Sequence, residues 1–498
     1  MAFRHFFAFA AASLRADNEA VAITAASPRL RALLLSATLG AASIATGQQS
    51  TRTVAITHVT VIDATGAPAK PDMTVVIAAS RMTAIGAARN VRVPGRALVV
   101  NGTGRFLIPG LWDMHVHVFS KEMPWPADSA ISNKDWFFPL LVANGVTGVR
   151  DMETDPAEIK VSAEWNRQRA AGRLIGPAIA VSSSIVNGDP PAPGDVTVTT
   201  AAEARQAVRD LKAADAAFVK VGSSLSRDAY FAIADEAKRQ GIAFAGHVPR
   251  AVSAWEATDA GQQTIEHLDG IPAACSSQEA DWLKRGTRPT RKDIIATYDS
   301  KRCAELAARL ARNDTWVVPT DLGAPGVFAA EGGRLDDPRF KYVPKWMLEH
   351  WKGTVDWRVL TGQVRRDDEN DARRIRAETV AAMRAAHVRL LTGTDTSPSR
   401  ISFPGFTLHD ELTLRVRQGL STEEALETVT RNPAVYFGTL SDSGTVEKGK
   451  RADLVLLDAN PLTDIRNLSK IRAVVLNGTL LDRRKLDQLL SQVETAVK

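Results

Sequence analysis

Two histidines separated by one residue carry the strongest chemical signal in the chain. His115 and His117 stand at the end of an apolar run that begins at Phe106. In an extended strand, the side chains at positions i and i+2 point to the same face. Both imidazoles can therefore reach one cation, and neutral imidazole is a common ligand for zinc. An isolated pair is explained equally well as a structural feature, so the interpretation depends on ligands elsewhere.

Later apolar segments carry further side chains that could join such a site. They are Lys220, His247, His267 and Asp395. Each has a simpler explanation when taken alone: a hydrogen-bonded core histidine, a solvated lysine or a turn aspartate. Four of the nine histidines nevertheless fall at predicted strand ends. Taken together, these residues predict a metal site.

Short apolar segments that alternate with helical patterns position these residues. The predicted strands span 107–117, 146–150, 178–182, 217–221, 242–247, 264–268, 315–319 and 390–395. Eight such repeats predict a mixed α/β fold, a parallel (β/α)8 TIM barrel, in which functional residues gather where the strands end. A doubly wound open sheet is the alternative. The lack of a glycine-rich phosphate loop after the first strand counts against it.

The two ends of the chain have a different pattern. Short runs rich in β-branched residues, separated by glycine and proline, occur from Thr53 to Val100 and again from Ala452 to Gly478. These runs are typical of an all-β module. We therefore expect a small β-sandwich domain built from both chain ends, residues 51–106 and 436–498, with the barrel at 107–435.

Composition indicates a globular protein with scattered charge. Of 498 residues, 45% are hydrophobic and 24% are charged, and the net charge is +6. These proportions are those of a folded enzyme. Lysine and arginine alternate with acidic residues and form no basic face, which argues against a nucleic-acid partner. We also expect no stable membrane insertion of the mature protein.

The first fifty residues predict export. Arg29 and Arg31 precede an apolar run at 32–45 that ends in small residues, the pattern of a cleaved signal. Residues 1–50 are therefore interpreted as an export signal with a disordered N-terminus, and a periplasmic or secreted location is expected. The true start and the cleavage site stay open. Cys275 and Cys303, the only two cysteines, could form a disulfide or stay as two buried thiols.

Five segments resemble the amidohydrolase superfamily, in particular its imidazolonepropionase-like and Xaa-Pro dipeptidase-like branches. The similar segments are 109–117, 145–151, 265–267, 392–395 and 444–455. The resemblance extends from about Val54 to Arg483, nearly the whole mature chain.

The resemblance implies a site for two divalent metal ions, with zinc the expected metal. His115, His117 and Asp395 would hold the buried ion, and His247 and His267 the exposed one. Lys220 would bridge both as an N-carboxylated lysine, since an ammonium cannot bind a cation whereas a carbamate offers two anionic oxygens. The presence of this lysine favours the two-metal dipeptidase-like branch.

The resemblance also implies a metal-dependent hydrolase of amide bonds, acting on a dipeptide or an N-acyl amino acid. A metal-activated hydroxide would attack the carbonyl, and Asp395 would serve as the proton shuttle. The alternative is hydrolysis of a cyclic amide or a lactone with one metal. Arg150 and Arg250 are candidates for binding a substrate carboxylate, or else form ion pairs with neighbours such as Asp151. A homo-oligomer is possible, but nothing in the sequence specifies the number of subunits.

Overall fold

The computed structural model describes residues 52–190, 192–324, 327–363 and 369–498. The predicted export signal at 1–50 lies outside these residues. Residues Thr51–Lys498 form one compact unit. Within the described part of the chain, no helix is both long enough and apolar enough to cross a bilayer.

The described chain contains strands and helices in alternation through its middle and mostly strands near its ends. The strands are β1 Val54–Val61, β2 Lys70–Ala78, β3 Arg81–Ala87, β4 Leu98–Asn101, β5 Phe106–Pro109, β6 Leu111–Val116, β7 Val146–Asp151, β8 Ala178–Val181, β9 Ile185–Asn187, β10 Val196–Thr197, β11 Phe218–Val221, β12 Ala243–Gly246, β13 Thr264–Glu266, β14 Trp316–Val318, β15 Leu454–Leu457, β16 Ile471–Leu476 and β17 Thr479–Asp482.

The helices alternate with the parallel strands, and one further helix follows the last strand of the chain. They are α1 Asn133–Ala143, α2 Pro156–Ala170, α3 Ala201–Ala213, α4 Arg227–Gln240, α5 Ala254–Asp259, α6 Ile271–Ala274, α7 Glu279–Arg285, α8 Arg291–Thr297, α9 Ser300–Arg312, α10 Val327–Ala330, α11 Lys345–Trp351, α12 Val355–Leu360, α13 Glu369–Ala385, α14 Phe406–Arg417, α15 Thr422–Glu427, α16 Arg431–Tyr436 and α17 Arg483–Ala496.

Strands from both chain ends meet in one mixed sheet. Its order is β17-β16-β15-β5-β1-β2-β3, with β4 paired to β1. Strand β5 is the link, because it pairs in parallel with β1 and antiparallel with β15. The described strands at the two chain ends therefore form a single hydrogen-bonded sheet. The predicted arrangement of this domain as a β-sandwich stays a prediction.

The parallel strands give a TIM-barrel-like arrangement with this additional sheet. They form a three-stranded group, β6-β7-β8, and a six-stranded group, β10-β9-β11-β12-β13-β14. Seven of the eight predicted barrel segments contain a regular strand. The helices between them bury apolar faces in one continuous core, as expected of βα repeats.

The first predicted strand is divided at Gly110. Residues before it belong to the mixed sheet as β5, and residues after it form β6 of the parallel group. A Cβ atom at Gly110 would lie 2.2 Å from Thr147 Oγ1, so only glycine fits at this crossing. The apolar run predicted one long strand because both halves are buried.

The eighth predicted segment, 390–395, is not a regular strand. It lies between β14 and β6, because Leu391 N donates to Val317 O at 3.0 Å and Met114 N donates to Thr392 O at 3.0 Å. Asp395 adopts φ 56°, in the left-handed region, which ends the extended conformation there. The β-bridges of this described segment are isolated pairs, Val317 with Leu390 and Val116 with Thr396.

A long insertion after β14 carries many of the aromatic residues. Trp351 is fully buried, and its Nε1 donates to Pro398 O at 2.7 Å. Its ring lies 5.9 Å from that of Phe403, which also contacts Phe340 at 5.4 Å between centroids. These aromatic side chains pack the insertion onto the rest of the molecule. Elsewhere, a disulfide joins Cys275, which follows α6, to Cys303 in α9.

Candidate metal centre

Four histidines and one aspartate meet where the parallel strands end. His115 is on β6 and His117 follows it, while His247 and His267 come directly after β12 and β13. Asp395 lies in the irregular segment beside β6, where its backbone N donates to His115 O at 2.8 Å. The strand ends thus bring together residues that are far apart in sequence.

The imidazoles of His115 and His117 and the carboxylate of Asp395 form a tight triangle. The two Nε2 atoms are 3.3 Å apart. Asp395 Oδ1 lies 3.4 Å from Nε2 of His115 and 3.1 Å from Nε2 of His117. Zinc bonds of about 2.1 Å in a tetrahedron separate the ligand atoms by roughly 3.4 Å. The three atoms are therefore spaced as ligands of one divalent cation.

His115 is oriented by a carboxylate behind it. Its Nδ1 is 2.8 Å from Glu266 Oε2, and both side chains are fully buried. Donation from Nδ1–H leaves the lone pair of Nε2 directed at His117 and Asp395. This carboxylate–histidine arrangement is typical of metal-binding imidazoles.

His267 and His247 extend the cluster on one side. The ring of His267 lies 4.6 Å from that of His115 and 4.9 Å from that of His247. His267 Nδ1 contacts Thr320 Oγ1 at 2.6 Å, and His247 Nδ1 contacts Ser223 Oγ at 2.6 Å. Each ring therefore keeps its Nε2 atom for another partner.

Lys220 on β11 is a buried amine without a hydrogen-bond partner. The residue is 0% exposed, and its Nζ atom makes no hydrogen bond within the described chain. Burial lowers the pKa of Lys220 to about 8, although the negative charges of Glu266 and Asp395 act in the opposite direction. An unpaired amine in a dry interior is costly, which marks this position as one that requires a further group.

The pKa shifts of three histidines favour the neutral form, which can bind a cation. Burial and the nearby charge of Lys220 hold the pKa of His115 and of His247 well below the usual range, and burial does the same for the pKa of His267. These imidazoles are therefore neutral near neutral pH, as metal ligands must be.

Asp395 and His117 differ from the other three side chains. Burial would raise the pKa of Asp395, but Arg400 and the surrounding imidazoles outweigh it and hold that pKa well below the usual range. Burial would lower the pKa of His117, but Asp395 and Glu153 raise it to about 9. Without a cation, these two side chains form an ion pair.

Three residues of this centre adopt strained backbone conformations. His267 has φ 62°, Thr320 has φ 42° and Asp395 has φ 56°, all in the left-handed region that branched or bulky residues avoid. Conformations of this kind persist at functional sites when the surrounding structure imposes them. Here His267 N donates to Val318 O at 2.8 Å, which fixes the turn after β13.

Arg150 forms a buried ion pair, which is one of the two alternatives predicted for this residue. It is 0% exposed, and its Nη2 donates to both oxygens of Glu266, at 2.8 and 2.9 Å. Its Nε donates to Met114 O at 2.7 Å. The guanidinium binds Glu266, which in turn orients His115. The ion-pair partner of Arg150 is therefore Glu266 rather than Asp151. Arg250, in contrast, lines a cavity beside His267.

Several supporting residues were not found from the sequence. Asp113 accepts hydrogen bonds from Thr394 N at 3.0 Å and from Thr394 Oγ1 at 2.7 Å, so it ties β6 to the segment that carries Asp395. Arg400 forms an ion pair with Asp395. Asp113 stands two residues before His115, and this spacing could have indicated its role. No sequence pattern around Arg400 indicated that it would contact Asp395.

Comparison with known proteins places these features in context. Residues 106–481 match the model of the amidohydrolase family. No curated protein sequence matches the chain.

Solved structures share the fold. A Bifidobacterium longum protein assigned as a prolidase is 24% identical, with a TM-score of 0.61 over 89% of this chain and 99% of that one. A Xaa-Pro dipeptidase with bound methionine is 19% identical, with a TM-score of 0.60 over 86% and 100%. A bottromycin amidohydrolase is 22% identical, with a TM-score of 0.65 over 90% and 92%.

Proposed function

Because the chain belongs to the amidohydrolase family, whose members are hydrolases, we propose that it cleaves the amide bond of a dipeptide or an N-acyl amino acid. The observation that carries this proposal is the triangle of His115, His117 and Asp395, with ligand atoms 3.1 to 3.4 Å apart. This spacing fits a divalent cation, and a set of two imidazoles and one carboxylate suits zinc once His117 has lost its proton.

We assign the ligands as follows. His115, His117 and Asp395 would hold one zinc ion, and His247 and His267 would hold a second. Bound divalent cations supply an acidified water and polarise the scissile carbonyl. Among the described residues, a group of three possible ligands, His115, His267 and Asp395, has its ligand atoms within 4.8 Å of one another, which supports adjacent binding positions.

Lys220 is assigned as a bridging ligand in its N-carboxylated form. Carboxylation requires the neutral amine, and a pKa of about 8 leaves roughly one amine in ten neutral at pH 7. Carbon dioxide would add to the neutral amine, forming one nitrogen–carbon bond and releasing one proton. The resulting carbamate carries a negative charge, so it would replace an unfavourable buried cation by a ligand with two anionic oxygens.

Asp395 is assigned the proton transfers. Its carboxylate is ionised at neutral pH and can accept a proton from the attacking water as the new carbon–oxygen bond forms. The same proton then passes to the nitrogen of the leaving amine as the carbon–nitrogen bond breaks. Asp395 returns to its ionised form, so one water is consumed for each amide cleaved.

Metal analysis of the purified protein tests the proposal as a whole. We expect about two zinc equivalents per chain and hydrolysis in a screen of dipeptides and N-acyl amino acids. Removal of the metal by a chelator should abolish that activity, and added zinc should restore it. One equivalent, together with ring opening of a cyclic amide or a lactone, would instead support the alternative function.

The variant Asp395→Asn tests the proton transfers. It keeps an oxygen ligand but cannot accept the proton, so turnover should fall at least about a thousandfold while much of the metal stays bound. Exposed Asp128→Asn serves as the matched control. Full activity of Asp395→Asn would contradict the assigned role.

The variant Lys220→Ala tests the bridge. It should lose metal as well as activity, whereas a surface variant such as Lys238→Ala should lose neither. Incorporation of isotopically labelled bicarbonate at Lys220, followed by carbon NMR, provides a signal independent of turnover. Full retention of two metal equivalents in Lys220→Ala would refute the bridging assignment.

We also make one proposal about the closure of the barrel and one about the cellular location. We propose a closed (β/α)8 barrel, supported by the backbone hydrogen bonds that segment 389–396 makes to both β14 and β6. We also propose a periplasmic or secreted location, supported by the disulfide between Cys275 and Cys303, a bond that persists in oxidising compartments. A crystal structure of the zinc-loaded protein tests the first proposal, and cell fractionation tests the second.

A further inference from the structure

A cavity of about 390 Å³ opens directly beside the candidate metal centre. His267 forms part of its wall, so the cavity and the cluster share a side chain. The other walls come from the loop after β12, the turn after β13, helices α7 and α8, and helix α13. A substrate bound with its amide at the cluster would extend into this space.

One part of the cavity wall is apolar. Trp282 is 9% exposed, Val248 is 4% exposed and Ile375 is 3% exposed, and all three line the space. Ile294 and Leu283 continue the same surface. A wall of this composition favours an aliphatic or aromatic side chain, because its burial removes apolar surface from water.

The cavity also carries two guanidinium groups that form no ion pair with the described residues. Arg250 and Arg288 both line the space, and neither forms an ion pair within 4.0 Å to any residue of the described chain. Arg376 also lines the space but is already engaged, because it pairs with Asp321 and donates to Pro319 O at 3.2 Å. Within the described chain, Arg250 and Arg288 therefore remain available to a ligand.

The acidic side chains of the cavity offset only part of this charge. Glu279 is bound by Arg302 at 2.8 Å and by Ser253 at 2.5 Å. Asp269 accepts from Ser223 Oγ at 3.4 Å. Burial raises the pKa of Asp269, although the charges of Arg288 and Arg250 act in the opposite direction.

We propose that this cavity is the subsite for the leaving amino acid of the substrate. Arg250 and Arg288 bind its free α-carboxylate, and the wall of Trp282, Ile294 and Ile375 holds an apolar side chain. Arginine is suited to this task because its fork of N–H donors matches the two oxygens of a carboxylate. This inference rests on the proposed amide hydrolysis and narrows it to substrates with a free carboxylate next to an apolar residue.

The test uses the zinc-loaded, full-length protein and two matched pairs of substrates. The pairs are N-acetyl-L-leucine and L-alanyl-L-leucine, each against its C-terminal carboxamide, measured by release of acetate or alanine. We expect the free acid to be preferred at least about tenfold in kcat/KM, mainly through KM, since charge-assisted hydrogen bonds contribute this much.

Two variants and a matched control test whether Arg250 and Arg288 cause the preference for the free acid. Arg288→Met and Arg250→Met should each bring the ratio of acid to carboxamide toward one. Arg285→Met, on the same side of the molecule but outside the cavity, should leave the ratio unchanged. Calorimetric binding of N-acetyl-L-leucine to zinc-loaded Asp395→Asn, alone and combined with Arg288→Met, gives a readout that does not depend on turnover.

The outcomes separate the two proposals. Equal turnover of acids and carboxamides, unaltered in Arg288→Met and Arg250→Met, would overturn the carboxylate subsite while leaving amide hydrolysis in place. Absence of turnover for all four compounds by the zinc-loaded protein would overturn the proposed function, and this subsite with it.

Discussion

Three of the four imidazoles of the candidate metal centre are held through Nδ1, the ring nitrogen that faces away from the proposed metal position. His115 is held by Glu266, His247 by Ser223 and His267 by Thr320. Partners of this kind fix the ring orientation and the tautomer, and their loss typically weakens metal binding about tenfold to a hundredfold. The individual side chains are therefore oriented before any cation arrives.

Replacement of Arg150 should lower both the stability of the fold and the metal content of the protein. In Arg150→Met the buried carboxylate of Glu266 loses its partner, which should cost about 3 kcal/mol of folding free energy. Urea unfolding and metal content measure both effects, with exposed Arg167→Met as the control. A variant with wild-type stability and metal content, and with only KM raised, would restore Arg150 as a substrate-binding residue.

Metal affinity should rise with pH because His117 must lose a proton to bind. Its pKa in the metal-free protein is about 9, so below that pH a cation has to displace one proton. Loss of this proton alone should lower the apparent dissociation constant about tenfold per pH unit between pH 6 and 8.5, and the Lys220 ammonium, with a pKa of about 8, steepens the dependence below pH 8. Competition with a chelator of known affinity measures it, and His117→Gln should reduce the slope by about one. A flat profile for the wild-type protein would contradict this assignment.

The proposed ligands were accessible from the sequence, whereas their hydrogen-bond partners were not. His115 and His117 show a local spacing, and His247, His267 and Asp395 each follow an apolar segment. Glu266 reaches His115 from 151 residues away, and nothing near His115 in sequence indicates that contact. An ion pair was one of the alternatives for Arg150, but the sequence could not identify Glu266 as its partner, since only the folded chain brings the two together.

At the level of elements, the segment with Asp395 is held by contacts rather than by its own regular structure. It runs between β14 and β6, and Asp113 receives two hydrogen bonds from Thr394. The apolar pattern predicted a strand here and was right about its place between its neighbours. It could not reveal the left-handed turn at Asp395, because that conformation is imposed by tertiary contacts.

Gly393 allows this segment to approach β6, so Gly393→Ala should damage the centre. A Cβ atom there would lie 2.5 Å from Cβ of His115 and 2.6 Å from its backbone N. The displacement should cost about 1–3 kcal/mol of stability and weaken metal binding. Calorimetric metal titration and thermal unfolding check this. Gly95→Ala is a suitable control, since its Cβ would meet nothing within 4 Å; equal behaviour of the two variants would contradict the prediction.

For the molecule as a whole, one sheet and one set of parallel strands share a single compact unit. The sequence indicated both, because the β-rich ends and the βα repeats have distinct patterns. It did not indicate how the ends join, since β5 pairs with the nearby β1 and also with β15, which lies more than three hundred positions further along the chain. The disulfide was likewise one of two open possibilities.

The disulfide should contribute to global stability. It closes a loop with a sequence separation of 28 residues, for which chain-entropy arguments give about 3–4 kcal/mol. Urea unfolding of the protein with and without reductant, compared with the double variant Cys275→Ala and Cys303→Ala, measures this contribution. If reductant leaves the midpoint of the wild-type protein unchanged, the bond does not stabilise the fold.

The pairing of β5 with β15 also sets an order for biosynthesis. Strand β5 continues through Gly110 into β6, which carries His115, yet its antiparallel neighbour is Leu454–Leu457. During translation the ribosome releases that neighbour only after more than three hundred further residues have been made. A nascent chain lacking it exposes an unpaired apolar edge, so the metal centre should become complete only when synthesis is nearly finished.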